Sequence, residues 1–116
     1  MSKPHLNEGE LYVGRINDEH IILLPGDNDD ATWVKQMGWA KSIGGDLPTK
    51  IEQEMLLADF RDEFKNDWYW SRDVNPVGSG YPRIQLFCLG LYNDVSKYDS
   101  HRARAVRRVN IGEIDE

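Results

Sequence analysis

The chain carries a single cysteine, Cys88, among its 116 residues, so no internal disulfide can form. Small secreted domains commonly rely on several disulfides, and this scarcity favours a reducing cytoplasm. No apolar run approaches the roughly 20 residues that a membrane-spanning helix needs, and no leader pattern stands at the start. Internal repeats and low-complexity tracts are also missing. Positive charge is in short supply, because 14 Lys and Arg face 20 Asp and Glu, a formal net charge of −6. Phosphate backbones are gripped by Lys and Arg, so this balance argues against nucleic acid as a direct partner. The charges are unevenly spread: acid crowds Glu8 to Asp30 and Asp46 to Asp73, whereas Arg102, Arg104, Arg107 and Arg108 cluster near the end.

Catalytic chemistry is equally short of parts. His5, His20 and His101 are scattered, and none has a second His or Cys at metal-ligand spacing. His20 is expected at a strand edge and His101 beside the last strand. Ser79 stands between Gly78 and Gly80 but lacks the five-residue elbow spacing of an activated serine. Cys88 lies in an apolar stretch, where a thiol behaves as a small buried hydrophobe. Pro25 to Asp30 holds oxygen ligands suited to calcium, yet lacks the glycine and later glutamate of an EF-hand loop. Asx residues before a helix serve as turn formers and N-caps instead. The reading is a chain without enzymatic activity, metal or cofactor.

A hydrophobic content of 40%, with four Trp, five Tyr and three Phe, is that of a packed globule. The length suits one domain over residues 1–116, its ordered core running from 10 to 110. The most informative stretch is Gly44 to Glu52 (Gly-Gly-Asp-Leu-Pro-Thr-Lys-Ile-Glu). Two glycines let one helix stop and the backbone turn sharply. Leu47-Pro48 is then extended, because the residue before proline is pushed out of the α region. Thr49 and Glu52 stand at capping-box spacing, so a second helix starts at Thr49.

Around that corner the elements follow in order. Leu11 to Ile16 and His20 to Leu24 are rich in β-formers and flank the turn-like Asn17-Asp18-Glu19, which predicts a hairpin. Pro25 to Asp30 reads as a loop. Ala31 to Ile43 has helical spacing, with Trp33, Met37, Ala40 and Ile43 facing the core and Trp39 at the edge of that stripe. The second helix, Lys50 to Phe60, presents Ile51, Met55 and Ala58 beside Leu56 and Phe60. Asp62 to Asn66 is a charged connection, and Trp68-Tyr69-Trp70-Ser71 predicts a strand packed on both sides. Arg72 to Tyr81 reads as a loop, Arg83 to Leu91 as one strand, Asn93 to Ser100 as a loop and Arg102 to Val109 as a final strand. On that strand Arg102, Arg104 and Arg108 share a face and Arg107 takes the other. One or two of them are expected to pair with acidic groups of the helices, the alternative being a basic stripe that contacts a phosphate or an acidic protein surface. This order predicts an α+β domain, two helices packed beside a twisted antiparallel sheet.

Thr32-Trp33, then Gly44 to Thr49 and Glu52, resemble the core motif of the C-type-lectin-like fold. The chain is most similar to the Lcl C-terminal domain-like family, small domains of bacteria and their phages. That family pairs a Leu-Pro-Thr-x-x-Glu helix start with a Tyr-Trp-Ser strand and an Arg-rich last strand. Here these are Leu47-Pro48-Thr49 with Glu52, Tyr69-Trp70-Ser71, and Arg102 to Arg107. Leu23 to Asp27 fits the phage-associated branch, and the resemblance spans Glu10 to Val109. Where the family has Ala-Trp-x-x-x-Phe and then a glycine, this chain has Pro82 to Phe87 and Gly90, with Arg83 replacing the aromatic. Neither Glu-Pro-Asn nor Trp-Asn-Asp occurs, so the resemblance does not imply calcium-dependent sugar binding.

What the resemblance implies is a non-enzymatic protein-binding module, phage- or prophage-encoded and working in the host cytoplasm. Its recognition residues are expected to be Arg72, Asp73, Tyr81, Arg83, Gln85, Tyr92, Asn93 and Tyr98, since Tyr and Arg dominate binding hot spots. The partner expected is another protein of host or phage, with homo-oligomers allowed and no membrane. Two alternatives stand beside this. One is an acidic inhibitor that occupies the nucleic-acid-binding surface of a host defence complex. The other is a structural part of a phage particle or tail fibre.

Overall fold

Thr49 caps the second helix as its spacing predicts. The Thr49 hydroxyl accepts a bond from the Glu52 amide at 3.2 Å, and the Glu52 carboxylate accepts one from the Thr49 amide at 2.9 Å. Gly44 ends the first helix at φ +86°, a backbone conformation that side chains resist. Gly45 matters for another reason: a Cβ there would stand 2.6 Å from Leu24 Cδ1 and 2.6 Å from the Val106 carbonyl oxygen. The corner is therefore pressed directly onto the rest of the chain.

The computed structural model describes residues 4–74 and 80–113. Asn75, Pro76, Gly78 and Ser79 of the expected loop lie outside the described residues, as do 1–3 and 114–116. The elements are β1 (Leu11–Ile16), β2 (Glu19–Leu23), β3 (Asn28–Ala31), α1 (Trp33–Ser42), α2 (Lys50–Asp59), β4 (Trp68–Val74), β5 (Pro82–Leu86), β6 (Leu91–Asp94), β7 (His101–Ala103) and β8 (Val106–Asn110). Short 3-10 turns cover Arg61–Glu63 and Ile111–Glu113.

The class is α+β, but the strands form two sheets rather than one. A three-stranded antiparallel sheet has the order β1-β2-β8, and a five-stranded sheet the order β3-β7-β4-β5-β6. The second sheet is mixed, because β4 meets β7 in parallel at Tyr69 and Arg102. The expected single last strand is split between the sheets: His101–Ala103 belongs to the second and Val106–Asn110 to the first. Arg104 and Ala105 are the crossing point. Pro25 to Asp30 is not wholly loop, since Asn28–Ala31 pairs with β7. The run Arg83 to Leu91 is a hairpin: β5 ends at Leu86, Phe87 to Gly90 turn, and β6 begins at Leu91. Gly90 carries φ +71° and its amide donates to the Leu86 carbonyl at 2.9 Å, so one glycine converts an apolar run into a turn.

Two apolar clusters hold these layers. One joins Ile21, Leu23 and Val106 of the first sheet to Leu56 of α2 and to Phe64, Tyr69 and Phe87. Phe64 and Phe87 stack at 3.8 Å between centroids, and Tyr69 meets Phe64 edge-on at 5.0 Å. The other seats α1 on the second sheet through Ala40, Leu47, Trp70, Ile84 and Ala103, with Trp33, Met37 and Trp39 against it. Tyr69 and Trp70, neighbours on β4, thus point to opposite faces and serve different clusters. The strand is packed on both sides, as its three aromatics predict. Ile43, Ile51 and Ala58 do not face the core: Ile43 is 40% and Ile51 57% exposed, and Ala58 is exposed too. Gln36 and Gln53 take the inward positions instead and bond backbone carbonyls at 2.8–3.3 Å.

Candidate functional site

The four late arginines are bound within the chain. Arg108, on the inward face of β8, donates to Glu52 at 2.6 and 2.7 Å, to Asp46 at 2.7 Å and to the Leu47 carbonyl at 3.2 Å. Burial works against the charged guanidinium, but the Glu52 and Asp46 carboxylates outweigh it and hold Arg108 well above its ordinary range. Arg72 bonds the same Asp46 carboxylate from β4. One arginine therefore ties the capping box, the glycine corner and the first sheet together. Arg102 holds Asp27 at 2.7 Å, and Arg107 holds Glu10 at 2.9 Å. Arg104 donates to the carbonyls of Glu63 and Leu24, both at 2.7 Å, at the crossing between sheets. This is the structural role expected of the stripe: Arg108 reaches Glu52 of α2, and Arg104 stands 3.5 Å from the Glu63 carboxylate of the 3-10 turn.

The eight expected recognition residues do not form one surface. Arg72 is at the corner, and the neighbouring Asp73 carboxylate accepts from the Lys50 amide at the start of α2. There it neutralises unpaired amides of the first turn, a structural task. Arg83 and Gln85 are 6% and 1% exposed, so neither can belong to an exposed face. They alternate inward on β5, where the Arg83 guanidinium donates to Gln85 at 2.8 Å and to Gln53 at 3.3 Å. Tyr92, the cross-strand neighbour of Gln85, lays its ring over Arg83 at 4.2 Å. Among the described residues Arg83 makes no ion pair; neutral amides and an aromatic face satisfy it.

The remaining four, Tyr81, Tyr92, Asn93 and Tyr98, are exposed along the β5–β6 hairpin and its flank. Their exposures reach 45% for Tyr81, 63% for Tyr92 and 78% for Tyr98. Leu89 and Leu91 join them at 68% and 51%. Sequence reasoning missed both leucines because it took their segment as strand core; Gly90 between them was the available sign of a turn. β6 is one of the two outer strands of its sheet. The Val95 amide bonds the Pro82 carbonyl at 3.0 Å, and antiparallel alternation then turns the backbone groups of Tyr92 and Asp94 outward. Asn93 covers part of that edge, its side-chain oxygen accepting from the Asp94 amide at 2.9 Å.

The residues weighed for catalysis take other places. His20 is on β2, the central strand of its sheet and not an edge, with Nδ1 2.6 Å from the Tyr12 hydroxyl. His101 meets the Trp70 ring edge-on at 5.0 Å, and burial pushes its pKa below the ordinary value of 6.5. Cys88 is half-buried in the hairpin turn rather than in a strand. Among the described residues no three His, Cys, Asp or Glu side chains converge as metal ligands would, and no helix is long and apolar enough to cross a membrane. No family model, curated protein or solved structure matches this chain.

Proposed function

We propose that this chain is a non-enzymatic protein-binding module of C-type-lectin-like fold, encoded by a phage or prophage and acting in the host cytoplasm. The fold assignment rests on the resemblance of Thr32-Trp33, the Gly44 to Glu52 corner and Tyr69-Trp70-Ser71. The arrangement of two helices against sheets, with a working capping box at Thr49, supports it. One observation carries the binding role. Five of the large exposed apolar side chains, Tyr81, Leu89, Leu91, Tyr92 and Tyr98, fall within residues 81–98. Single exposed apolar groups are ordinary, but a concentration of them beside an outer strand marks a contact surface. Tyrosine suits that task, offering a large rigid face at low entropic cost.

The surface is therefore assigned to Tyr81, Leu89, Leu91, Tyr92, Asn93 and Tyr98, with Arg83 as the buried support of Tyr92. Affinity capture from host cells with the wild-type chain and with Tyr81→Ser/Tyr92→Ser/Tyr98→Ser tests it. A partner held by the wild type and lost by the triple variant, while Arg15→Ser on the first sheet keeps it, is the expected result. Equal capture by all three overturns the assignment.

The net charge of −6 favours a second reading, an acidic inhibitor that covers a basic, nucleic-acid-binding surface of a host defence complex. It predicts capture that weakens steeply with salt, whereas an apolar tyrosine surface predicts weak salt dependence. A structural role in a phage particle predicts the chain in purified virions.

A further inference from the structure

A second candidate site lies away from the hairpin and does not depend on that reading. Met37, Gly38 and Lys41 of α1, Gly45 and Asp46 of the corner and Arg72 of β4 line an open cleft of about 360 Å3. Met37 brings an apolar side chain to its lining, and Gly38 and Gly45 bring no side chain at all. Gly38 is the informative residue. A glycine inside a helix weakens it relative to alanine by about 1 kcal/mol. Here a Cβ at Gly38 would meet nothing within 4 Å, so no part of the chain needs the space. Gly38 is itself one of the residues that line the cleft.

The charges at the cleft are also specific. Asp46 is already engaged: Arg108 and Arg72 hold one carboxylate oxygen and the Leu47 amide the other. Beyond its bond to Asp46, Arg72 has further donors without a partner among the described residues, and its side chain is 45% exposed. Lys41 makes no ion pair among the described residues. Two cations, Lys41 and Arg72, thus line the same cleft as the apolar Met37, in a protein whose net charge is −6. Arginine donors in a fork suit a carboxylate, and a lysine point charge reinforces it.

We propose that this cleft binds a carboxylate on a short apolar stem. The anion sits between Arg72 and Lys41, and the stem lies on Met37 against the bare backbone of Gly38. The same group is available from a free organic acid or from a glutamate side chain of a peptide.

A nuclear magnetic resonance titration of the full chain tests this with 4-methylpentanoate, its neutral amide and a capped Ala-Glu-Ala peptide. The expected result is saturable shifts of the Gly38, Gly45 and Arg72 amides, with the acid about tenfold tighter than the amide. Arg72→Gln and Lys41→Gln each weaken the acid by about tenfold. Gly38→Leu removes binding by filling the space; its fold is preserved because the position is open, and an unchanged dispersion of amide signals verifies that. Tighter binding of the peptide identifies a protein's glutamate as the source, and tighter binding of the acid a free metabolite. Equal affinity for acid and amide, undiminished binding by a folded Gly38→Leu, or no saturable shift from either probe overturns the proposal.

Discussion

The glycine corner and the β5–β6 hairpin use the same residue types for opposite ends. At the corner the carboxylates are met: Arg108 faces Glu52 and Asp46, Asp73 faces the first turn of α2, and Gly45 lies against Leu24 and the Val106 backbone. At the hairpin an arginine is again buried, but neutral amides and Tyr92 hold it, and the large side chains around it remain in water. The corner's carboxylates are spent within the fold, while Arg72 at its rim keeps donors without a partner among the described residues. The hairpin is closed beneath and unfinished above. Chemistry left over after folding is what recognition can use, so the comparison itself separates scaffold from surface.

The strongest way to break it is at Gly45. With Cβ only 2.6 Å from a backbone oxygen, Gly45→Ala must move β8 or the corner, since a carbonyl cannot rotate aside like a side-chain tip. We expect a loss of about 3 kcal/mol or more, enough to leave much of a marginal domain unfolded. Chemical denaturation measures it; a variant as stable as the wild type would mean the corner is loose. Next is Arg108→Ala, which leaves the Glu52 carboxylate inside without its cationic partner, its side chain 3% exposed. Removing one member of a buried pair costs about 3–5 kcal/mol. Arg108→Met with Glu52→Gln should recover a large part of that loss, because no buried charge is then left unmet.

A smaller effect follows pH. Arg107 holds the Glu10 carboxyl below its ordinary value of 4.5, chiefly through their hydrogen bond. Its stabilisation is present above that value and vanishes as pH falls through the lower folded value. Arg107→Gln should therefore lower stability by about 1–2 kcal/mol at neutral pH, with the gap closing in acid below the ordinary value. His101 adds an earlier step. Burial lowers its folded pKa from 6.5, so the unfolded chain takes up a proton first and stability declines as pH drops below that point. Melting temperatures across this range should show both steps, and His101→Phe should remove only the first.

Local rules reached the corner and the central strand, because their causes lie within a few residues. Thr49 needs only Glu52 to cap a helix, and Trp68-Tyr69-Trp70 needs only the strand's alternation to face two ways. What local rules could not show was decided by distant partners. Asn28–Ala31, four residues with two aspartates, becomes a strand because β7 lies beside it. Arg102 to Val109 reads as one strand, yet its halves pair with different sheets and Arg104 is spent on carbonyls at the crossing. At the candidate surface the tyrosines were legible as exposed groups. Arg83 and Gln85 were not legible as buried, because Arg83 finds its partner in the inward glutamine Gln53 of the distant α2, and Gln85 in turn accepts from Arg83. The Gly38 cleft was invisible for the same reason, its walls coming from three separate segments.

The smallest expected effect bears most directly on the comparison. If the hairpin surface is surplus to folding, truncating it should barely disturb the fold. Leu91→Ser and Tyr98→Ser should change stability by no more than about 0.5 kcal/mol, as exposed positions do. Tyr92→Ser should cost slightly more, about 0.5–1 kcal/mol, because it uncovers the Arg83 guanidinium. Tyr92→Phe should recover this loss, since the ring and not the hydroxyl lies over the cation. A loss near that of Arg108→Ala would mean that Tyr92 belongs to the scaffold, and the hairpin would then be as closed as the corner. Retained stability with lost partner capture places folding and recognition in separate residues of one hairpin, the cation below and the tyrosine face above.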